Sequence, residues 1–269
     1  MTALSIGFDV PFSEAIRAAA TRGVVLPDVY YGELQGVASQ LAFSIAGISA
    51  YDQLQAVRDS MAAAMAAGTS FKEWKALDHA VELPAHRMEN IWRTNLQGNY
   101  MRGRWEQFTR NARTRKYLIY DAINDTRVRP SHLAHDGVIR AVDDPFWKTH
   151  SPPLGYRCRC TLRSLTEEQA RARSGAGKGL YQQPTHEDGT PAQPDKGWDY
   201  NPFGDVLAAI RKGLRDRAAA PNARVADLES ISAGIEGGLV SLYAEWVSDH
   251  GEDAAREMWQ RNFGDTPTP

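Results

Sequence analysis

Cysteine is scarce in this chain: 269 residues carry two, Cys158 and Cys160. A framework of several disulfides is therefore excluded, and without a secretion signal the pair points to a reducing compartment, where a thiol or a metal ligand is the expected state. Long apolar runs are missing too. Val37 to Ile48 is broken by Ser39, Gln40 and Ser44, so it falls short of the ~20 apolar residues that a bilayer span needs. The opening MTALSIGFDVPFSE has no basic residue before Arg17 and no long apolar run, so no signal peptide is expected. No single sign of charge dominates. A formal net charge of -2 argues against wholesale coating of nucleic acid but leaves room for a local basic patch. A phosphate-cradling loop is absent as well, since SGAGKG at 174–179 lacks both the P-loop spacing and the Ser or Thr that should follow it.

What is present reads as an ordinary globular chain, 42% hydrophobic and 24% charged, long enough to bury a core in one or two domains. The first eighty residues are helical in pattern. Ile16, Ala19 and Ala20 share one helical face, Leu34, Val37, Leu41 and Ile45 another, and Leu54, Val57, Met61 and Met65 a third between Ala50 and Ala67. Gly68 is placed to end that helix. Ser70 and Glu73 spell a capping box, and Pro84 opens a long helix carrying Met88, Ile91, Trp92, Asn95, Asn99 and Arg102.

At Tyr117 the pattern changes to strands. YLIYDAI is aromatic and β-branched, Asp136-Gly137 is a turn, and Val138 to Val142 and Tyr156 to Leu165 follow as further strands. Thr166 and Gln169 make a second capping box. The stretch 174–201 predicts a long ordered loop, and 203–262 returns to helical spacing with Leu239, Leu242, Tyr243 and Trp246. The expected class is α+β, with mainly helical N- and C-terminal parts around a small antiparallel β-containing core module. The expected regions are 1–83, 84–201 and 202–269.

The chemistry concentrates between 117 and 165. In an extended strand Cys158, Cys160 and Leu162 share one face, while Arg157, Arg159 and Arg163 share the other. Two thiols side by side suit one soft cation better than a distorted disulfide, and zinc would need two more ligands. His132, His135, His150 and Asp125 are the candidates. The other reading is two thiols packed as small hydrophobes. His132 and His135, three apart, either converge or divide between a backbone hydrogen bond and solvent. Asp143-Asp144 before Pro145 reads as turn chemistry, and no Asn or Asp orienter is evident for a Cys–His nucleophile, so no enzyme is expected. A basic run, Arg102, Arg104, Arg110, Arg113, Arg115 and Lys116, opposed by Glu106 and interleaved with Tyr100, Trp105 and Phe108, fits either a nucleic-acid or acidic-protein contact or a solvated helix end.

Several strings, taken together and in order, resemble the phage Mu F-like minor head proteins, the phage head morphogenesis family. They are PFSEAIRAA (11–19), AFSIAGISAYDQLQAV (42–57), TSFKEW (69–74), MENIWRTNLQGNYMRGRWEQF (88–108), DTRVRPSHLAHDGVIRAVDDPFWKTHSPPLGYRCRC (125–160) and DKGWDYNPFGD (195–205). In the last, Phe203 stands where a Gly is usual. The resemblance covers roughly 10–205, and the last sixty residues match nothing.

It implies a minor virion component of the phage head, present in the host cytoplasm during assembly. Its partners would be the portal protein and other head proteins, with double-stranded DNA as a further contact and no membrane. The basic residues from Arg102 to Lys116, with Arg157, Arg159 and Arg163, would face DNA or acidic portal surfaces. No cofactor is certain; a metal, if held, would be zinc on His132, Cys158 and Cys160, with His135 or His150 as fourth ligand. The alternatives are a zinc-dependent hydrolase or nuclease of the head, and a module that delivers a toxin domain.

Overall fold

The structure, a computed structural model, describes residues 12–20, 22–24, 42–46, 48, 50–77, 81–174 and 180–199, with 244, 247, 248, 251–253, 255 and 256. The expected helix through Leu34, Val37 and Leu41, the 203–262 helices and the C-terminal tail lie largely outside these residues. Where that first helix would have continued, Ala42–Phe43 (β2) instead pairs in parallel with Gly23–Val24 (β1). Among the described residues no helix is long and apolar enough to cross a membrane.

The helices form where local signals direct them. Helix α1 covers Ser13–Ala20 and α2 Tyr51–Ala66. Gly68 follows with φ +66, a conformation that costs glycine little and ends the helix. Helix α3, Phe71–Lys75, starts on the capping box, with the Ser70 side chain accepting from the Glu73 amide and the Glu73 carboxylate accepting from the Ser70 amide. Helix α4 runs 26 residues, Ala85–Arg110, about 39 Å at 1.5 Å per residue.

That length lets α4 serve two apolar cores. Its first half puts Met88 and Trp92 among Phe43, Ile45, Leu54, Val57, Met61 and Trp74. The Trp74 and Trp92 rings stand 4.8 Å apart. Its second half puts Met101, Trp105 and Phe108 against the sheet. Helix α1 lies on α4 where Gly103 leaves room: a Cβ there would meet the Ala15 backbone nitrogen at 2.7 Å.

The sheet has the order β4-β3-β5, antiparallel throughout. Strand β3 is Tyr117–Asp121, β4 Ile139–Ala141 and β5 Thr161–Leu165. Between them lie two single-turn helices, α5 (Pro130–Leu133) and α6 (Trp147–His150). Alternation of side chains sorts the two faces. Leu118, Tyr120 and Leu162 face α4, with Trp147, Leu154, Cys158 and Cys160, while Ile119, Ile139 and Leu165 pack with Ala170. Ala170 belongs to α7, Glu167–Ser174, which starts on the Thr166–Gln169 capping box. The class is α+β. The third strand starts at Thr161 rather than Tyr156, because the chain turns first. The Cys158 amide donates to the Gly155 carbonyl at 3.2 Å, and Arg157 takes the left-handed conformation, φ 58.

Candidate functional site

Three elements converge on the two sulfurs. The turn at Gly155–Cys158 aims Cys158 inward, and Cys160 closes the segment just before β5, its carbonyl accepting from Gln97 Nε2 of α4 at 2.7 Å. Helix α5, with Pro130 in its first turn, presents His132 from the opposite side. A ring nitrogen of His132 and the two Sγ atoms lie within 4.8 Å of one another. All three side chains are buried, at 2%, 4% and 2% exposure for His132, Cys158 and Cys160, so water is largely excluded from the cluster. Both cysteines are free thiols.

The electrostatics divide the pair. The hydrogen bond shared with Cys160 and then burial push the Cys158 thiol up. Cys160 moves down, chiefly through that bond with Cys158, with His132 and Tyr120 adding to it against the desolvation. Burial holds the Tyr120 hydroxyl well above its ordinary range. This hydroxyl has no partner of full hydrogen-bond geometry, but its proximity to Cys160 favours the thiolate there. His132 Nε2 is likewise buried and without a partner of full hydrogen-bond geometry. Asp195 Oδ1 stands 3.5 Å from it, near enough for attraction but not aligned for a hydrogen bond.

Asp195 is the residue that spacing rules did not single out, although it begins the DKGWDYNPFGD string. Its amide donates to the Leu154 carbonyl at 2.9 Å, and its carboxylate faces Arg129 Nε at 3.5 Å. Gly155 makes this approach feasible: a Cβ there would stand 2.1 Å from Asp195 Oδ2 and 2.8 Å from its Cγ. Gly155→Ala is therefore expected to expel the carboxylate and to cost about 1–3 kcal/mol, the usual penalty for overpacking. Thermal unfolding measures it. In an Asp195→Ala background the same change should cost much less, and an equal cost in both backgrounds would disprove the clash.

The other ligand candidates lie elsewhere. His135 is fully buried, its Nδ1 2.7 Å from the Ser131 carbonyl, with its ring 5.3 Å from both Tyr120 and His150. His150 stacks on Phe146 at 4.2 Å, and burial lowers its pKa. Asp125 is engaged by Arg159 in two bonds of 2.7 and 2.8 Å, which hold its carboxyl well below the usual range.

Four of the nine basic residues are tied to acids distant in sequence, Arg159 to Asp125 among them. Arg110 pairs with Glu14 at 3.1 Å, Arg157 with Glu89 at 3.0 Å and Arg163 with Asp121 at 2.9 Å. Arg115 donates to Ser164 Oγ at 2.9 Å. Arg104 bonds Gln107 and lies over the Phe108 ring. Burial lowers the pKa of the Arg102 guanidinium to about 10, with Glu106 opposing the shift. Arg113 and Lys116 are exposed.

A second feature is an open cavity of about 410 Å³ between α1, α2 and α4, lined by Phe12, Ala64, Met65, Trp92, Leu96 and Tyr100 among others. Among the described residues no carboxylate, imidazole, thiol or amine lines it, so these residues offer apolar contact rather than reactive groups.

Residues 55–163 match a family described as Phage Mu protein F like protein. Two relatives are similar over longer stretches. The putative capsid assembly protein F of Escherichia phage Mu is 26% identical over 260 residues, covering 78% of this chain and 59% of that protein. The Mu-like prophage FluMu F protein of Haemophilus influenzae is 32% identical over 163 residues, covering 54% of this chain and 39% of its own length. The chain thus spans less than two thirds of either relative. No solved structure matches it.

Proposed function

Because residues 55–163 make this chain a member of the Phage Mu protein F like family, we propose that it is a minor structural protein of a tailed-phage head, acting in head assembly near the portal and in packaging or delivery of the genome. One observation carries this reading. The matched segment runs from α2 through most of β5 and supplies much of both apolar cores, so the relatives share a folded body with this chain rather than a short motif. A binding role suits the site better than catalysis, since the Cys–His cluster is enclosed and out of reach of a macromolecular substrate. Arg113 and Lys116, exposed just beyond α4, supply the positive charge for DNA or an acidic portal surface.

Mass spectrometry with cross-linking on purified heads of the phage that encodes the chain tests the proposal. The expected result is its peptides in the head, cross-linked to the portal protein; heads that assemble and infect without it overturn the reading. Binding of double-stranded DNA by the purified chain should weaken as salt rises, and Arg113→Glu with Lys116→Glu should weaken it further and flatten the salt dependence. Affinity indifferent to salt would remove the electrostatic part.

A further inference from the structure

We infer that His132, Cys158 and Cys160 form a structural zinc site whose fourth ligand is the carboxylate of Asp195. The inference stands on the geometry of the cluster and is independent of the phage-head reading. Three ligand atoms already lie within 4.8 Å of one another. Around a tetrahedral zinc, with Zn–S near 2.3 Å and Zn–N near 2.0–2.1 Å, such atoms stand roughly 3.3–3.8 Å apart, so binding needs a contraction of at most about 1.5 Å. The donor set selects the metal: two thiolates and an imidazole suit zinc and reject the hard cations magnesium and calcium.

Two further observations point to a ligand at this place. His132 Nε2 is buried in a side chain of 2% exposure and has no partner of full hydrogen-bond geometry. Buried polar atoms are almost always partnered, and an unpartnered one in a folded chain calls for an explanation. Asp195 lies outside the group of three, but its Oδ1, at 3.5 Å from that nitrogen, borders it, so a shift of this carboxylate toward the sulfurs would complete a tetrahedron. The surroundings hold it there. The Leu154 carbonyl anchors the Asp195 backbone, the missing side chain of Gly155 leaves space for the carboxylate, and Arg129 offsets the excess negative charge of two thiolates and a carboxylate.

Bound there, zinc would tie α5, the 155–160 turn and the 180–199 loop into one unit. With four protein ligands the site is closed, which marks a structural metal rather than a catalytic one.

The test uses the full-length chain expressed with zinc and purified under reducing conditions. Elemental analysis should find about one zinc per chain, and a strong chelator should lower the melting temperature, with zinc restoring it. Cobalt substitution should give the visible bands of a tetrahedral site and a near-ultraviolet thiolate-to-metal band. Cys158→Ser with Cys160→Ser should abolish both metal content and that band. If this variant does not fold, His132→Gln, which keeps both thiols, should still weaken cobalt binding at least tenfold. Asp195→Asn should lower zinc affinity by at least tenfold, the scale on which neighbouring-ligand changes act. Protein that is folded but metal-free after zinc addition, or a cobalt spectrum without the thiolate band, overturns the site. Unchanged affinity in Asp195→Asn overturns the fourth ligand.

Discussion

Trp147→Ala should lower the stability of the chain by about 3–5 kcal/mol, the range for removing a large aromatic ring from a core. The ring is 1% exposed and meets Phe146 edge-on at 5.1 Å. Its Nε1 donates to the Ala141 carbonyl at 2.8 Å, which ties the single-turn helix α6 to the end of β4. Truncation therefore opens a cavity and removes one of two hydrogen bonds to the Ala141 carbonyl, which keeps the Asp144 amide at 3.1 Å, so the cavity dominates the loss. Trp147→Phe should restore part of the packing without the indole hydrogen bond, placing it between the wild type and the alanine variant. Urea unfolding reads the series as a falling midpoint at nearly constant slope. A loss below about 1 kcal/mol would mean that the site collapses around the gap and that the core is more plastic than its density implies. Cys158 and Cys160 belong to this same cluster, so under the proposed zinc site the alanine variant should also hold less zinc.

The parts of this fold that were legible in the sequence are those whose cause is local. A capping box needs two residues three apart, and both Ser70–Glu73 and Thr166–Gln169 formed as their spacing required. Gly68 ended α2 for a reason contained in its own backbone. The aromatic and β-branched run at 117–123 likewise marked β3 as a strand, and the structure buries both of its faces.

What was not legible depended on residues far away. The third strand was expected from Tyr156, yet the chain turns at Gly155–Cys158 beside a carboxylate from position 195. The thiols still converge, through that turn rather than through strand alternation. The basic stripe shows the same limit. Arg110, Arg157 and Arg163 find Glu14, Glu89 and Asp121 across the fold, and nothing near them in sequence announced those partners.

The second large effect is expected at Arg140, where one side chain joins the sheet to the loop that carries Asp195. Arg140 lies in the middle of β4 and is 7% exposed. Its guanidinium reaches Asp144 Oδ2 at 3.6 Å, donates to the carbonyls of Tyr181 and Gln182 at 3.1 and 3.2 Å, and lies 4.4 Å from the centre of the Phe146 ring. Arg140→Ala removes all of these at once. The cost should be about 3 kcal/mol, the low end for breaking a buried ion pair, because Asp144 keeps the Phe146 amide as a partner. Arg140→Lys should recover little, since a point charge cannot serve an acid, two carbonyls and a ring face together.

The two variants separate a global from a local effect. In Trp147→Ala the whole module loosens. In Arg140→Ala the loop at 180–199 loses its hold on β4 first, so limited proteolysis should cut between Tyr181 and Trp198 before the sheet unfolds. If that loop is clamped at its far end through Asp195, zinc should slow the cut in Arg140→Ala, and Asp195→Asn should remove the protection. Cleavage that starts elsewhere, or that zinc does not slow, would show that the loop is held by contacts other than these two.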